Sequence, residues 1–267
     1  MSKFEQFIKE RRYLQNVSER TVQWYYESLK WLRVEEPTEA DLKDFVYRMR
    51  EKNLKPTSCN NRIRAVNAYL KWLGSPHKVS RLKEPLRVLP TFAPSDIKRF
   101  LTWKPKTAGG RRLQVLVLLL ADTGVRIGEA VTLRWSDVDW DSLLLLVRGK
   151  GGKERRIPFS VELRRFLWKF RHEHQLVFCT RLGTQLGRRD ALRDTKRLCS
   201  KLGIKVPERT MHAFRHSFAV NSLRRGGSVF HLQKVLGHSS LEMTRRYANL
   251  MTEDLQKIHQ QVSLLSA

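Results

Sequence analysis

Little in this 267-residue sequence suggests a metalloprotein, a secreted scaffold or a membrane protein. Its three cysteines, Cys59, Cys179 and Cys199, are an odd number at wide spacing, without a Cys-x-x-Cys pair or the Cys/His spacing of a zinc site. They read as reduced packing residues. No acidic cluster suggests a two-metal nuclease. The turn Gly149-Lys150-Gly151-Gly152-Lys153 fails the pattern of a nucleotide-phosphate loop, because no helix opens after it with Lys-Ser or Lys-Thr. Neither a metal nor a cofactor is expected. The first residues carry no apolar signal core, and the most apolar run, Val115 to Ala121, is too short to span a bilayer. A soluble cytoplasmic protein is the expectation.

Acidic residues are also scarce, with 26 Asp and Glu against 52 Lys and Arg and a formal net charge of +26. That excess is far beyond what solubility requires and points to a polyanionic partner. Arg and Lys recur from Arg11 to Lys257 instead of gathering opposite one long apolar helix face, so nucleic acid fits better than a membrane surface.

What is present divides into two expected domains. Apolar residues at helical spacing mark four helices in the first quarter: Phe4, Phe7, Ile8 and Leu14; then Val22, Tyr25, Tyr26, Leu29 and Leu32 behind a capping Ser18; then Leu42, Phe45, Val46 and Met49 behind the capping pair Thr38 and Asp41; then a helix from about Thr57 to Leu73. Residues 1–75 therefore read as an all-helical domain. Between Gly74 and Pro94 the periodicity lapses; Pro76, Pro85, Pro90 and Pro94 punctuate a basic stretch with Lys78, Arg81, Lys83 and Arg87, read as an extended linker over 76–91. The second domain, 92–267, opens with a short helix at Ser95-Asp96 and a strongly apolar helix from about Leu113 that Gly124 should stop. Three short strands are expected next, Thr132–Val138, Leu143–Arg148 and Glu154–Phe159, forming a small antiparallel sheet. Helices then return, with Thr210–Arg225, Val229–Leu236 and a last one that Ser239 and Glu242 could cap. The fold class is mainly α with a small β-sheet.

Several residues could carry chemistry. Arg126 follows the helix-ending Gly124, where Glu129 can orient its guanidinium, although a surface loop arginine would look the same. Lys150 sits at a hairpin tip between glycines, which lets backbone approach a strand of nucleic acid closely; a solvated turn lysine is the alternative. His212 and Arg215, three apart on one helix, share a face and can grip one anion, while adjacent His216 is expected to point elsewhere and serve structure. His238 follows Gly237 and offers a hydrogen bond at a helix boundary. Tyr247 stands nine residues later, beside Arg245 and Arg246; a half-buried packing tyrosine is its bland reading.

Taken in order, Arg126, Lys150, His212, Arg215, His238 and Tyr247, set in "TGVRIGEAVTLRWSDVDW", "RGKGGKERRIP", "HAFRHSFA" and "LGHSSLEMTRRYANL", resemble the tyrosine recombinase (phage integrase) family from about Phe92 to Leu250. None of the six positions departs from the pattern. The helical first domain is similar to that family's core-binding, SAM-like domain, and the second to its catalytic domain, the two expected to form a C-shaped clamp on duplex DNA. The resemblance implies site-specific recombination through a 3′-phosphotyrosine intermediate in a tetrameric synapse on specific DNA sites. Tyr247 would be the nucleophile, Arg126 and Arg215 would bind the non-bridging phosphate oxygens, His238 would add a hydrogen bond, and Lys150 would protonate the 5′ leaving oxygen, with Lys153 as the fallback. His212 would act as general base on the tyrosine or simply hold the phosphate. The alternatives are a type IB topoisomerase-like enzyme or a non-catalytic architectural DNA-binding regulator. Chain length suggests no arm-binding domain, as in the simpler Xer-like, transposon or phage enzymes. Lys78, Arg81, Lys83, Arg87, Lys153, Arg245 and Arg246 are candidate DNA contacts. In the tail, Leu255, Ile258, Val262 and Leu265 form one apolar helix stripe, which either folds back on its own domain or, as the resemblance implies, docks on the next protomer.

Overall fold

The computed structural model describes residues 1–85, 89–149, 152–238, 240, 241, 244 and 247. The chain divides into two compact units, Met1–Arg87 and Val88–Ala267.

The first unit is four helices: α1 Lys3–Tyr13, α2 Glu19–Leu29, α3 Glu39–Glu51 and α4 Pro56–Trp72. The local start signals act largely as their chemistry requires. Ser2 and Glu5 close a capping box on α1, and Thr38 and Asp41 close one on α3, each satisfying two backbone N–H groups that a helix start leaves open. Ser18 precedes α2 but turns its hydroxyl to Thr21 Oγ1 at 2.9 Å, leaving the backbone uncapped by its side chain. The apolar stripes meet in one core around Phe7, Phe45, Met49, Ile63, Tyr69 and Leu70, where Phe7 makes edge contacts with Tyr25, Tyr69 and Trp72.

Where an extended linker is expected, the chain to Glu84 is instead strapped along α4. Asn67 holds both backbone groups of Val79, accepting from its N–H and donating to its carbonyl, each at 2.9 Å. Asn60 does the same for Leu82, at 2.8 and 2.9 Å. Seven helical residues advance about 10.5 Å and three extended residues about 10 Å, so the two asparagines match the strap's repeat with the strap running antiparallel to α4. Val79 and Leu82 turn into the core, Glu84 accepts from Thr57 and Asn60, and Lys78, Arg81 and Lys83 are left exposed. Arg87 lies outside the described residues. The sequence signal was ambiguous because the asparagine pairs bind backbone, which leaves no apolar period in the strap itself.

The second unit begins with α5 Pro94–Thr102, α6 Ala108–Thr123 and the four-residue α7 Ile127–Ala130, continues through β1 Val138–Asp139, β2 Leu144–Arg148 and β3 Glu154–Pro158, and returns to helix in α8 Val161–Phe170, α9 Arg188–Lys201, α10 Thr210–Arg224 and α11 Val229–Leu236. The sheet is antiparallel in the order β1-β2-β3, with Leu145 opposite Ile157 and Val147 opposite Arg155. The expected first strand over Thr132–Val138 is corrected. Only Val138–Asp139 joins the sheet; Arg134 makes an isolated antiparallel bridge to Leu176, and Trp135–Asp137 is a single 3-10 turn whose Asp137 carboxylate accepts from the Arg134 N–H at 2.9 Å. A side chain that binds its own backbone draws the segment away from a ladder. α6 is the central element, with Val115 to Leu120 all buried and α10 packed along it. Phe92, Phe100 and Phe214 close the core beside it. Leu241, Thr244 and Tyr247 are helical, while Ser239, Glu242 and the apolar tail stripe lie outside the described residues. Among the described residues no helix is long and apolar enough to cross a membrane.

Asn60→Ala should leave both backbone groups of Leu82 without their partner, costing about 2–4 kcal/mol. The expected readouts are a lower melting temperature for the helical unit and faster tryptic cleavage at Arg81 and Lys83; unchanged melting and cleavage would show that the strap is not held this way.

Candidate active site

Gly124 makes the first corner of the site. It stops α6 in the left-handed region, φ +64°, with its N–H on the Leu120 carbonyl at 3.1 Å. A Cβ there would lie 2.5 Å from Phe218 Cδ1 and 3.0 Å from Leu236 Cδ2, so glycine is demanded by space as well as by φ. Two residues later Arg126 precedes α7. Glu129 accepts from the Arg126 backbone N–H at 2.8 Å and from its Nη1 at 2.9 Å. The guanidinium is aimed by Glu129 yet keeps an open face.

Glu129 is itself held from the sheet. Arg155 on β3 donates Nη1 to Oε1 at 3.0 Å and Nη2 to Oε2 at 2.8 Å, and its Nε donates to the Val235 carbonyl at 2.9 Å. Glu129 is only 8% exposed. Burial alone would raise its pKa, but the hydrogen bonds from Arg155 and the Arg126 N–H outweigh that and hold it below the usual carboxylate range. Gly237, with φ +63°, is the other glycine required here, since a Cβ would sit 3.0 Å from Arg155 Nε. One arginine thus fastens the hairpin to the Arg126 corner and to the end of α11.

On α10, Arg215 is 4% exposed. Its Nη1 donates to the Gly124 carbonyl at 2.8 Å and its Nη2 to the Leu236 carbonyl at 2.6 Å. Desolvation first and Arg126 second lower its pKa to about 10, which leaves it charged at neutral pH. His212 lies one turn earlier; desolvation, Arg209, Arg215 and Arg126 lower its pKa. His216, expected to point elsewhere, is corrected. It is four residues after His212, on the same face with ring centroids 6.5 Å apart, and its Nδ1 hydrogen-bonds the Tyr247 hydroxyl at 3.0 Å.

Tyr247 is 4% exposed and packs with Ala219, Leu223, Leu232 and Leu236. His238 lies parallel to its ring, 7° between planes and 6.2 Å between centroids, while His238 Nδ1 pairs with Thr244 Oγ1 at 2.9 Å. Burial, followed by the surrounding cations and histidines, pushes His216 and His238 each down to about 4, so both rings are neutral at pH 7. The bland and the functional readings of Tyr247 therefore coincide: its ring packs and its hydroxyl meets polar groups.

The structure gathers Arg126, His212, Arg215, His238 and Tyr247 around the ends of α6, α10 and α11. Lys150 lies outside the described residues. Its hairpin is described on either side, closed by the Gly149 N–H on the Lys153 carbonyl at 2.7 Å, with Lys153 exposed. Arg245 and Arg246 also lie outside the described residues. Sequence reasoning missed Arg155 and the role of His216. Both had a signal: Arg155 shares a strand face with buried Ile157, and His216 stands at helical spacing from His212. Among the described residues no group of three His, Cys, Asp or Glu side chains could hold a metal ion.

With this geometry in place, comparison with known proteins is specific. The family model described as "Phage integrase family" matches residues 91–254. The tyrosine recombinase XerA of Pyrococcus furiosus is 32% identical over 240 residues, covering 86% of this chain and 82% of its own. The tyrosine recombinase XerC of Xanthomonas campestris pv. campestris is 31% identical over 233 residues, covering 82% and 72%. Among solved structures, XerA recombinase aligns with a TM-score of 0.57 and 24% identity over 98% of each chain. The Tn1549 transposon integrase, solved in complex with transposon right end DNA, aligns with a TM-score of 0.76 and 20% identity, covering 96% of this chain and 100% of its own.

Glu129→Gln should remove the charge that two arginines share, costing about 2–4 kcal/mol at pH 7 because Arg155, its side chain 14% exposed, is left without its counter-ion. Since the folded-state pKa of Glu129 is lowered, its stabilisation is complete above the ordinary carboxylate pKa and is lost as pH falls through the folded value. Thermal melts should therefore show a gap between wild type and variant that is full at neutral pH and closes in acid. A gap independent of pH would contradict the assignment.

Proposed function

Because the chain belongs to the phage integrase family of tyrosine recombinases, we propose that it is a site-specific DNA recombinase acting through a 3′-phosphotyrosine intermediate, with Tyr247 as nucleophile. The observation that carries this reading is the hydroxyl of Tyr247 held at 3.0 Å by His216, within the electrostatic reach of the buried Arg215. Breaking a phosphodiester this way requires a nucleophile, cations around the non-bridging oxygens and an acid for the departing alkoxide. Arg126 and Arg215 supply planar donors that match phosphate geometry. His238, neutral and donating, adds a hydrogen bond, and His212 stands at the phosphate or at the tyrosine. Lys150 at the hairpin tip serves as the acid for the 5′ oxygen, a role suited to an ammonium whose pKa falls near other cations.

The ester to Tyr247 keeps the energy of the broken bond, so rejoining needs no nucleotide. DNA is the partner, as in the complex solved for the related transposon integrase. The net charge of +26 supplies the sequence-independent part of the affinity. Exchange of strands between two sites calls for four such chains in a closed ring with identical neighbour contacts, for which the apolar stripe Leu255, Ile258, Val262 and Leu265 is the candidate joint.

The test uses a pool of nicked duplexes with randomised arms. Wild type should leave a protein–DNA adduct resistant to detergent, and sequencing the trapped DNA would give the target site. Tyr247→Phe should bind the same DNA with nearly unchanged affinity and form no adduct; an adduct surviving in that variant would remove Tyr247 from the role.

Affinity should also fall by orders of magnitude between about 50 and 200 mM salt if many phosphates are neutralised, with Lys78, Arg81 and Lys83 adding to the salt slope without reading bases. Anisotropy titrations that show little dependence on salt would count against charge-driven binding.

A further inference from the structure

We propose that His216, and not His212, is the base that takes the phenolic proton when Tyr247 attacks phosphorus. The inference rests on Tyr247 being the nucleophile. Its carrying observation is geometric: His216 Nδ1 lies 3.0 Å from the Tyr247 hydroxyl, the separation that proton abstraction requires. Three other described groups near that hydroxyl are less well suited. Arg215 has no lone pair to accept a proton. His238 lies parallel to the phenol ring and engages Thr244 through Nδ1. His212 is one helical turn away from His216, with the two ring centroids 6.5 Å apart.

The surroundings explain how the base is controlled. His216 is faced by His212 and Arg215 on α10, by Arg209 at its N-cap, and by Tyr247 from the segment after α11. Desolvation and these cations keep the ring neutral, so Nδ1 holds a lone pair for the phenol, while its basicity in the DNA-free protein stays low. An arriving phosphodiester brings negative charge to the same cations. It offsets their effect on the ring, and the ring becomes a better base only when the scissile phosphate is present. In the step itself the bond from Tyr247 oxygen to phosphorus forms and the bond from phosphorus to the 5′ oxygen breaks. The phenolic proton passes to His216 Nδ1, and the leaving oxygen takes a proton from Lys150. Rejoining returns each proton to its donor.

His216→Gln keeps a hydrogen-bond acceptor of similar reach but cannot hold a proton. On a nicked duplex trapped by wild type, its adduct formation at pH 7 should be about 10²–10⁴-fold slower, with DNA affinity and melting temperature unchanged. The deficit should close as pH approaches about 10, where the phenol ionises unaided. His212→Gln should show no such closing. Wild-type speed in His216→Gln, a deficit equal at every pH, or a closing deficit in His212→Gln instead would each overturn the assignment. A second measurement needs no DNA: the imidazole ¹⁵N shifts of His216 in the full chain should show Nδ1 unprotonated and Nε2 carrying the proton. A protonated Nδ1 donating to the tyrosine would overturn it. If wild type formed no adduct with any duplex in the pool, the nucleophile assignment would fail and this inference with it. A wild-type adduct beside an unimpaired His216→Gln would sink this inference alone.

Discussion

The second unit is organised around one buried cation. Arg215 is 4% exposed, and a guanidinium so placed needs negative charge nearby. Its two donated hydrogen bonds go to the carbonyls of Gly124 and Leu236, with the Glu129 carboxylate acting on it through space. Gly124 is the C-cap of α6 and Leu236 the last residue of α11, so both acceptors stand at the negative ends of helix dipoles. Two helices therefore converge on one side chain. This explains why both helices must stop where they do, why α6 ends in a glycine with no room for a Cβ, and why Leu236 packs against that glycine. Partial charges compensate the arginine enough to fold but leave a field that a full anion would complete.

The same economy recurs at Glu129, which is the full charge in the neighbourhood. It is divided between Arg126, which precedes the sheet in sequence, and Arg155 on β3. Arg155 also reaches the Val235 carbonyl, one residue before the carbonyl that Arg215 holds. Hairpin, α7 and the end of α11 are thus registered against one another by side chains reaching backbone. Such contacts fix orientation more tightly than apolar packing alone, because a hydrogen bond loses strength within tens of degrees of misalignment.

Much of this was legible in the sequence, and the parts that were not have two physical causes. The stripes of α1 to α4, the stop at Gly124, the turn at Gly237 and the pairing of His212 with Arg215 all follow from local rules of spacing and backbone conformation. The first strand was misjudged because alternation over Thr132–Val138 competes with Asp137, which binds the Arg134 N–H. The strap along α4 was missed because Asn60 and Asn67 recognise backbone, and backbone partners leave no mark in side-chain patterning. Arg155 and His216 were passed over for a different reason. Each acts on a residue distant in sequence, Glu129 by 26 positions and Tyr247 by 31, so spacing marks its face but not its partner.

The division of labour between arginine and histidine follows from their pKa values. Arg215, lowered only to about 10, stays charged throughout the physiological range, as a guanidinium does in general. His216 and His238 lie inside its field and are driven down to about 4, which makes them neutral donors and acceptors. Had position 216 been arginine, the Tyr247 hydroxyl would lose the imidazole nitrogen that lies 3.0 Å away. Had the arginines been histidine, the permanent cations of the site would vanish near neutral pH. Burial first, and the neighbouring charges after it, hold the two histidines neutral, and neutral histidines put no further like charge among the arginines.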